Sequence, residues 1–466
     1  MFKKLLVLAL TAALMSVTIA GNAAPKPKPY APKGAQYGAC SYDPTVKGFA
    51  VGLQGFLIGK NRCVGAMKIV DASLPTTKPK TKISNFAGID ASPCKIVRSS
   101  AQQNNAWKGF PAPGQESLFK TKRHPSPTTV MQIVPIYSSD APKGTKSPAE
   151  DYKFYFDFIT KYFNYINDGP GNFVLKIPDH YYYFSGSIGD YGVSHGKDGP
   201  RGDAFISAAV AAIDSDVDFN TVNYTLVVVP AGTPSGIIGQ QGFGRAASNE
   251  GYITNVSVAQ PATLTGPNNT VSPEMATPTM WLHEFYHPGL NLGDNHAGDS
   301  QGYDSERGMG DWGLMSRNNG DLLAWQKWLL GFTQDSQVHC VSATDAVSTT
   351  HWLAPSSVKT PHEKLLVIKV SESKALIVES IRAKGLSYRF EKERLGALVY
   401  EVDASDTRHD YGYTVMYPDN RRPKPSRPAM FDASLKLGES LTYEGVKITN
   451  VEWGDFGDVI KVEPIK

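Results

Sequence analysis

The chain lacks the features that assign many proteins to a functional class directly. Its 47 Lys and Arg nearly balance its 44 Asp and Glu, so the net charge of +3 gives no electrostatic argument for nucleic acid or an anionic membrane as a partner. Only four cysteines are present, and the sequence shows no internal repeat and no long low-complexity segment. At 466 residues it is too long for a single hydrophobic core, so we expect two or three domains.

One long apolar run stands at the start of the chain. A basic beginning is followed by the run from Leu5 to Ala20 and then by small residues, which is typical of a secretory signal peptide. We place this peptide over residues 1–23. No later segment approaches the ~20 consecutive apolar residues of a membrane span. The sequence therefore predicts a secreted (extracellular), soluble monomer without stable membrane insertion.

The even number of cysteines predicts two disulfides in an exported chain. Three pairings are open, and loop length favours Cys40–Cys63 together with Cys94–Cys340. Both pairs need an oxidising compartment, which agrees with the signal peptide.

Composition and periodicity divide the mature chain into three regions. Residues 24–122 begin with a Pro/Lys-rich tail and continue in short apolar runs, which predicts a small β-rich N-terminal region or pro-segment. Residues 123–339 alternate strand and helix patterns in the order of an α/β domain. Residues 340–466 show strand patterns separated by turn residues, which predicts an all-β sandwich. The predicted fold class is α+β.

The individual elements follow from the same patterns. In the middle region we predict strands at 128–137, 173–177, 224–229 and 252–258, helices at 148–168 and 202–213, and a Gly-rich loop at 236–244. In the last region we predict strands at 364–370, 375–381, 397–402, 440–443, 446–451 and 458–462.

The most informative stretch is His283-Glu284-x-x-His287. Residues four apart on a helix lie on the same face, so the two imidazoles can converge on one tetrahedral Zn²⁺. Glu284 is rotated by about 100° from His283. Its carboxylate is therefore placed beside the metal, to polarise a bound water rather than to ligate. The pattern predicts a zinc-dependent hydrolase with Glu284 as the catalytic residue and His283 and His287 as metal ligands.

A catalytic zinc site needs a third protein ligand and an open position for water. Gly293-x-x-His296 keeps the spacing between a turning glycine and a ligand, which favours His296 as the third ligand. Asp294 is the main alternative, because carboxylates also bind zinc. Asp299 and Asp304 are further candidates.

Pro288 bears on the geometry of this loop. A proline disfavours helix for the residue before it and clashes with the carbonyl four residues earlier, here that of Glu284. We therefore predict that the helix ends at or near His287, and that a longer loop returns the third ligand to the metal.

Two further motifs follow the zinc-binding pattern. They are Gly310-Asp-Trp-Gly-Leu-Met-Ser and then Leu323-Ala-Trp-Gln-Lys-Trp-Leu-Leu-Gly-Phe. Together with the zinc-binding motif, they resemble the immune inhibitor A-like family of secreted bacterial metalloproteases. The resemblance implies a metzincin-like catalytic domain over residues 123–339, with Met315 forming the Met-turn, a hydrophobic floor beneath the zinc ligands.

The resemblance also implies an exported zinc endopeptidase whose substrate is a protein or peptide. In that reaction Glu284 would take the proton of a zinc-bound water and pass it to the leaving amine. The alternative function is a secreted, non-catalytic binding protein on a degenerate metalloprotease fold, which is suggested by the altered Pro288-Gly289 segment and by the bulky Tyr286. A further hypothesis is that the thiolate of Cys63 occupies the zinc in a latent enzyme.

Overall fold

The computed structural model describes residues 35–37, 56–58, 62–64, 74, 77–86, 88–96, 128–193, 200–234, 236–239, 241–259, 261, 278–290, 292–295, 308–310, 312–317, 321–387, 390, 392–405, 412–423 and 430–465. Within these ranges strands outnumber helices, and the two kinds of element are mixed along the chain. The predicted α+β class is confirmed at this level. None of the described helices has the length and the apolar character that crossing a bilayer requires.

The N-terminal region contains a small antiparallel sheet. Its strands are β1 (Ala35–Tyr37), β2 (Phe56–Ile58) and β3 (Arg62–Val64), in that spatial order. Residue Cys63 lies on β3, but its side chain and Cys40 fall outside the described part of the chain. The Cys40–Cys63 pair and the latency role of Cys63 therefore stay predictions.

The middle region is built on a mixed sheet. Its strands are β4 (Thr128–Tyr137), β5 (Asn172–Lys176), β6 (Tyr182–Tyr183), β7 (Tyr224–Val228), β8 (Gln241–Ser248) and β9 (Gly251–Val258). The spatial order is β5-β4-β7-β9-β8, with β6 beside the end of β4. Neighbouring strands are parallel except for β8, which runs antiparallel to β9 at the edge. Strands β4 and β7 take central positions because their apolar runs can be buried on both faces.

Strand β8 corrects the predicted Gly-rich loop at 236–244. The second half of that stretch, from Gln241 onward, is paired with β9. Glycine lowers the intrinsic tendency to form a strand, but each glycine still offers one N–H and one C=O to a neighbouring strand. Pairing with β9 therefore overrides the local sequence.

Helices flank this sheet. They are α1 (Pro148–Asp151), α2 (Lys153–Ile166), α3 (Pro200–Ala211) and α4 (Pro278–Leu290). The helix predicted over 148–168 appears as α1 and α2, which are separated at Tyr152. Ser147 caps α1 in a capping box: the Ser147 side chain accepts from the Glu150 N–H, and the Glu150 carboxylate accepts from the Ser147 N–H. Aromatic side chains of α2 pack against those of α4 and fix the position of α4.

Helix α4 carries the zinc-binding motif and ends later than predicted. It continues past Pro288 to Leu290, so the prediction that it ends near His287 is wrong. A proline inside a helix costs a hydrogen bond and a steric clash, together about 3 kcal/mol. The burial of Trp281, Phe285 and Tyr286 in the core of the middle region outweighs that cost. Just after the helix, the N–H of Leu292 donates to the carbonyl of Tyr286 (3.1 Å). The chain therefore folds back directly onto the last turns of the helix.

The last region is a sandwich of two sheets, which follows two short helices, α5 (Leu314–Arg317) and α6 (Ala324–Leu329). Its strands are β10 (Val338–Ser342), β11 (Thr349–Leu353), β12 (Leu365–Lys369), β13 (Lys374–Ile381), β14 (Gly396–Asp403), β15 (Tyr413–Val415), β16 (Ser440–Tyr443), β17 (Val446–Gly454) and β18 (Gly457–Pro464). One sheet has the order β10-β12-β13-β14-β15 and the other β11-β18-β17-β16.

The five-stranded sheet is buried on both faces. Leu366 and Ile368 of β12 belong to the hydrophobic core between the two sheets. Leu365 and Val367 of the same strand point the other way, into a core that includes Trp328 of α6. One hydrophobic core therefore joins residues from both sides of the predicted boundary between the last two regions.

Residues 77–86 and 88–96 of the N-terminal region lie along this sandwich. The N–H groups of Lys80 and Thr81 donate to the Glu452 carboxylate, at 2.9 and 2.7 Å. Cys94 is completely buried and forms a disulfide with Cys340 on β10. This bond confirms one of the two predicted cysteine pairs and fastens the segment to the sandwich.

Removing that disulfide should lower the stability of the protein. We expect the double variant Cys94→Ala with Cys340→Ala to lose about 2–5 kcal/mol of unfolding free energy. The two cysteines are 246 residues apart, so the bond constrains a long loop in the unfolded chain. Equilibrium urea unfolding followed by tryptophan fluorescence measures the change. Reduced wild-type protein is the control, and an unchanged midpoint in both samples would contradict the expectation.

Candidate metal centre

Three donor atoms converge beside helix α4. The Nε2 atoms of His283 and His287 are 3.2 Å apart, and Oδ1 of Asp294 lies 3.0 Å from the first and 3.6 Å from the second. Donors held at ~2.0–2.2 Å from a tetrahedral zinc are about 3.3–3.6 Å from one another. Within the described residues, this is the one group of at least three His, Cys, Asp or Glu side chains spaced to hold a metal. The donor types and their spacing fit Zn²⁺.

Packing on the rest of the helix surface fixes the two histidines. Trp281, Phe285 and Tyr286 of α4 are fully buried in the core of the middle region. The ring of Phe285 meets the ring of Tyr224 on the central strand β7 edge to face, with centroids 4.8 Å apart. Because the helix is fixed in this way, it can turn about its axis little, and its histidines keep their direction.

A backbone carbonyl orients each imidazole. Nδ1 of His283 lies 2.9 Å from the Leu314 carbonyl oxygen, and Nδ1 of His287 lies 2.7 Å from that of Leu292. A carbonyl oxygen only accepts, so each Nδ1 donates a proton and Nε2 is the ring nitrogen left to face the cluster. This is the arrangement that metal-binding histidines need.

A short return of the chain brings Asp294 to the histidines. The N–H of Asn295 donates to the Met315 carbonyl (2.8 Å), and the N–H of Met309 donates to the Asn295 carbonyl (2.9 Å). These two bonds pair the residues after α4 with the segment that also supplies the Leu314 carbonyl. Asp294, which precedes Asn295, is held beside both rings as a result.

The surroundings of His283 favour a positive charge on its imidazole. Burial by itself would lower the pKa of His283, but the hydrogen bond and the negative charge of Asp294 outweigh it. With smaller contributions from the Glu284 charge and the Leu314 carbonyl, they raise the pKa of His283 from 6.5 to about 9. When no metal is bound, a proton on His283 compensates the negative charge of the Asp294 carboxylate. A divalent cation would take the same role, and its binding would release that proton.

Glu284 lies beside the cluster but outside its donor set. Its side chain is partly exposed, and its charge acts on His283, yet it is not among the groups whose donor atoms converge. The side chains of His287 and Asp294 are 14% and 22% exposed, so the cluster opens to solvent. This placement is the one expected of a carboxylate that acts on a water molecule rather than on the ion.

Met315 directly follows Leu314, whose carbonyl contacts His283. It is completely buried in the same hydrophobic cluster as Trp281, Phe285 and Tyr286 of α4. Its carbonyl accepts the hydrogen bond that positions Asn295. The structure thus places Met315 next to the metal-binding loop, whereas its role as a Met-turn stays a prediction.

These positions test only part of the prediction of the third ligand. His296, which the sequence favours, lies outside the described residues, as do Asp299 and Asp304, so their roles stay predictions. Asp294, the alternative, is the residue that the structure brings to both histidines.

The groups that orient the site were not found from the sequence. They are the main-chain carbonyls of Leu292 and Leu314 and the main-chain groups of Asn295. Every residue carries such groups, so they leave no signal in the sequence. Only the fold of the chain selects which of them face the imidazoles.

A comparison with known protein families, with curated proteins and with solved structures finds no match for this chain. The resemblance to the immune inhibitor A-like family therefore depends on the motifs alone. The function has to be argued from the geometry of the candidate metal centre.

Proposed function

We propose that this protein is an exported zinc-dependent endopeptidase, with a metzincin-like catalytic region followed by the β-sandwich. The observation that carries the proposal is the convergence of His283, His287 and Asp294 within 3.6 Å, with Glu284 beside them but outside the donor set. Two histidines and one carboxylate form a donor set typical of catalytic zinc sites in peptidases. The motif around Met315, which resembles one in a family of secreted proteases, supports a peptide substrate.

The residues of the site divide the work of hydrolysis. Zinc bound here would supply a Lewis acid and lower the pKa of a water ligand toward ~7. Glu284 is the adjacent carboxylate that can accept the proton of the attacking water and pass it to the leaving amine. His283 and His287 donate through Nδ1 to Leu314 and Leu292, which leaves Nε2 of each ring to bind zinc, and an Nε2 bound in this way would not compete for the proton.

The sheet offers a way to bind an extended peptide. Helix α4 packs against β8 and β9, and β8 is at the edge of the sheet as described. A substrate backbone can add to an edge strand through main-chain hydrogen bonds, with little dependence on its side chains. This arrangement favours a polypeptide substrate over a small molecule.

Zinc content and zinc-dependent cleavage test the proposal. We expect protein purified without chelator to contain one zinc per chain, measured by inductively coupled plasma mass spectrometry. We also expect it to cleave labelled casein. Treatment with 1,10-phenanthroline should abolish cleavage, and added zinc should restore it. The double variant His283→Ala with His287→Ala is the control and should neither bind zinc nor cleave. Absence of zinc from the wild type, or cleavage that survives metal removal, would contradict the proposal.

The alternative function, a secreted non-catalytic binding protein, loses one of its two reasons. One reason is that Tyr286 is a bulky side chain at a position where the motif often carries a small one. Its side chain is fully buried in the core and lies near Tyr162 and Phe163 of α2, so it does not obstruct the cluster. The casein and zinc measurements above separate the two functions.

A further inference from the structure

A buried ion pair lies next to the segment that orients His283. Nζ of Lys327 on α6 is 2.7 Å from Oδ2 of Asp321, and their side chains are 2% and 9% exposed. A buried ion pair is costly to desolvate and is often no more stable than an apolar pair of the same size. Its presence at this place therefore suggests a role in positioning rather than in stability.

The pair is connected to the candidate metal centre by two hydrogen bonds. The main-chain carbonyl of Asp321 accepts from the N–H of Leu314 (2.7 Å). The carbonyl of Leu314 accepts from Nδ1 of His283 (2.9 Å). Leu314, whose carbonyl orients the imidazole of His283, is therefore held through its own N–H by the main chain of Asp321.

The other end of the pair is attached to the β-sandwich. Nζ of Lys327 also donates to the carbonyl of Ser356 (2.6 Å), in the connection between β11 and β12. On the same helix, the N–H of Ala324 donates to the carboxylate of Glu379 on β13 (3.0 Å), and the hydroxyl of Tyr400 on β14 donates to the same oxygen. Lys327 thus connects Asp321 to the β11–β12 connection of the sandwich.

Two further bonds attach the same segment to the sandwich. The indole N–H of Trp312 donates to the Met430 carbonyl (2.9 Å), and the N–H of Val415 on β15 donates to the Gly308 carbonyl (3.0 Å). Gly308 and Trp312, which both precede Leu314 in the chain, are therefore anchored outside the middle region. The position of Leu314 depends on the sandwich as well as on α4.

We propose that Lys327 is a positioning residue for the metal centre: through Asp321 and Leu314 it holds the imidazole of His283, and it makes the β-sandwich a working part of the zinc site. The inference rests on the proposed zinc function. It assigns to the sandwich a role that the motifs do not indicate. Outer-shell partners of metal-binding histidines act in this manner, because they fix the tautomer and the direction of the ring.

Lys327→Met in the full chain tests this inference through zinc affinity, measured by competition with a chromophoric chelator. We expect the dissociation constant for zinc to rise up to about 10-fold, the lower end of the effect of losing an outer-shell partner, because the Leu314 carbonyl is displaced and not removed. Lys364→Met is the matched control: Lys364 is also 2% exposed and its charge also acts on Asp321, but its Nζ donates to Asp168 (2.6 Å) and makes no hydrogen bond to Asp321. Both variants should unfold at a lower urea concentration, and only Lys327→Met should change zinc affinity. Wild-type affinity in Lys327→Met, or an equal loss in both variants, would overturn the inference.

A double variant separates positioning from stability. Asp321→Leu with Lys327→Met removes the pair without leaving a lone buried charge, so folding should recover relative to Lys327→Met alone. Zinc affinity should stay lowered, because the link from Ser356 to the Leu314 peptide is still absent. Recovery of zinc affinity together with stability would mean that the single variant acted only through folding, and would refute the positioning role.

A measurement without zinc distinguishes this inference from the proposed function. In metal-free protein labelled with ¹⁵N-histidine, the Nδ1–H resonance of His283 reports its hydrogen bond to Leu314. We expect it to shift or broaden in Lys327→Met and to stay unchanged in Lys364→Met. An unchanged resonance in Lys327→Met overturns the positioning role even in an active enzyme. A shifted resonance in a protein that binds no zinc would instead leave the positioning intact and refute the zinc endopeptidase.

Discussion

Glu284→Gln is expected to give a folded, zinc-containing protein whose kcat/KM for a peptide is lower by at least about 10²–10⁴-fold, the range for loss of a general base. The amide keeps the size of the side chain but cannot accept a proton at neutral pH. Because Glu284 lies outside the converging donors, its replacement should leave zinc stoichiometry unchanged. Cleavage of a fluorogenic peptide measures kcat/KM, and metal analysis of the same sample measures the zinc stoichiometry.

A carboxylate far from the cluster supplies the control for this prediction. Glu372 lies in the turn between β12 and β13, and its side chain is 96% exposed. Glu372→Gln removes one negative charge from the protein, as Glu284→Gln does, and should retain full activity. Wild-type activity in Glu284→Gln would remove Glu284 from the mechanism. Loss of zinc from that variant would instead indicate that Glu284 is a ligand.

Asp294→Ala should weaken zinc binding by more than about 100-fold, beyond the loss typical of outer-shell partners, because it removes a donor atom itself. The reason is the position of Oδ1, 3.0 and 3.6 Å from the two Nε2 atoms. Asp294→Asn keeps one oxygen but no charge, and we expect it to bind zinc with an affinity between those of the wild type and the alanine variant. Chelator competition measures all three dissociation constants.

His296→Ala is the comparison that decides between the two predicted ligands. If Asp294 fills the third position alone, His296→Ala should bind zinc nearly as the wild type does. A large loss in His296→Ala with wild-type affinity in Asp294→Ala would assign the position to His296. Wild-type affinity in both variants would point to Asp299 or Asp304.

Much of the strand structure could be predicted, because long runs of β-branched and apolar residues have few other stable states. Strand β4 was predicted to the residue as 128–137, and so was β16 as 440–443. Strand β8 was missed because its glycines carry no strand signal of their own, and only the neighbour β9 makes them extended. The end of α4 could not be predicted, because the packing of the helix in the core, which the local sequence does not show, outweighs the lost hydrogen bond and the clash of a proline.

The part of the candidate metal centre that depends on local helix geometry could be predicted from the sequence. The spacing of four between His283 and His287 places them on one face of any helix, and the structure brings their Nε2 atoms to 3.2 Å. Asp294 converges on the histidines because main-chain hydrogen bonds hold the residues around it. Leu292 bonds to Tyr286 on α4, and Asn295 bonds to Met309 and Met315. Such contacts are formed by tertiary folding, so sequence spacing could name Asp294 as a candidate but not choose it.

The Cys94–Cys340 bond bears on how the protein could mature. Residues 77–96 belong to the stretch that the sequence predicts as a pro-segment, yet they are joined covalently to β10. Cleavage of any peptide bond between Ile96 and Thr128 would therefore release nothing that contains Cys94. It would instead convert one polypeptide into a heavy and a light chain, which separate only when the disulfide is reduced.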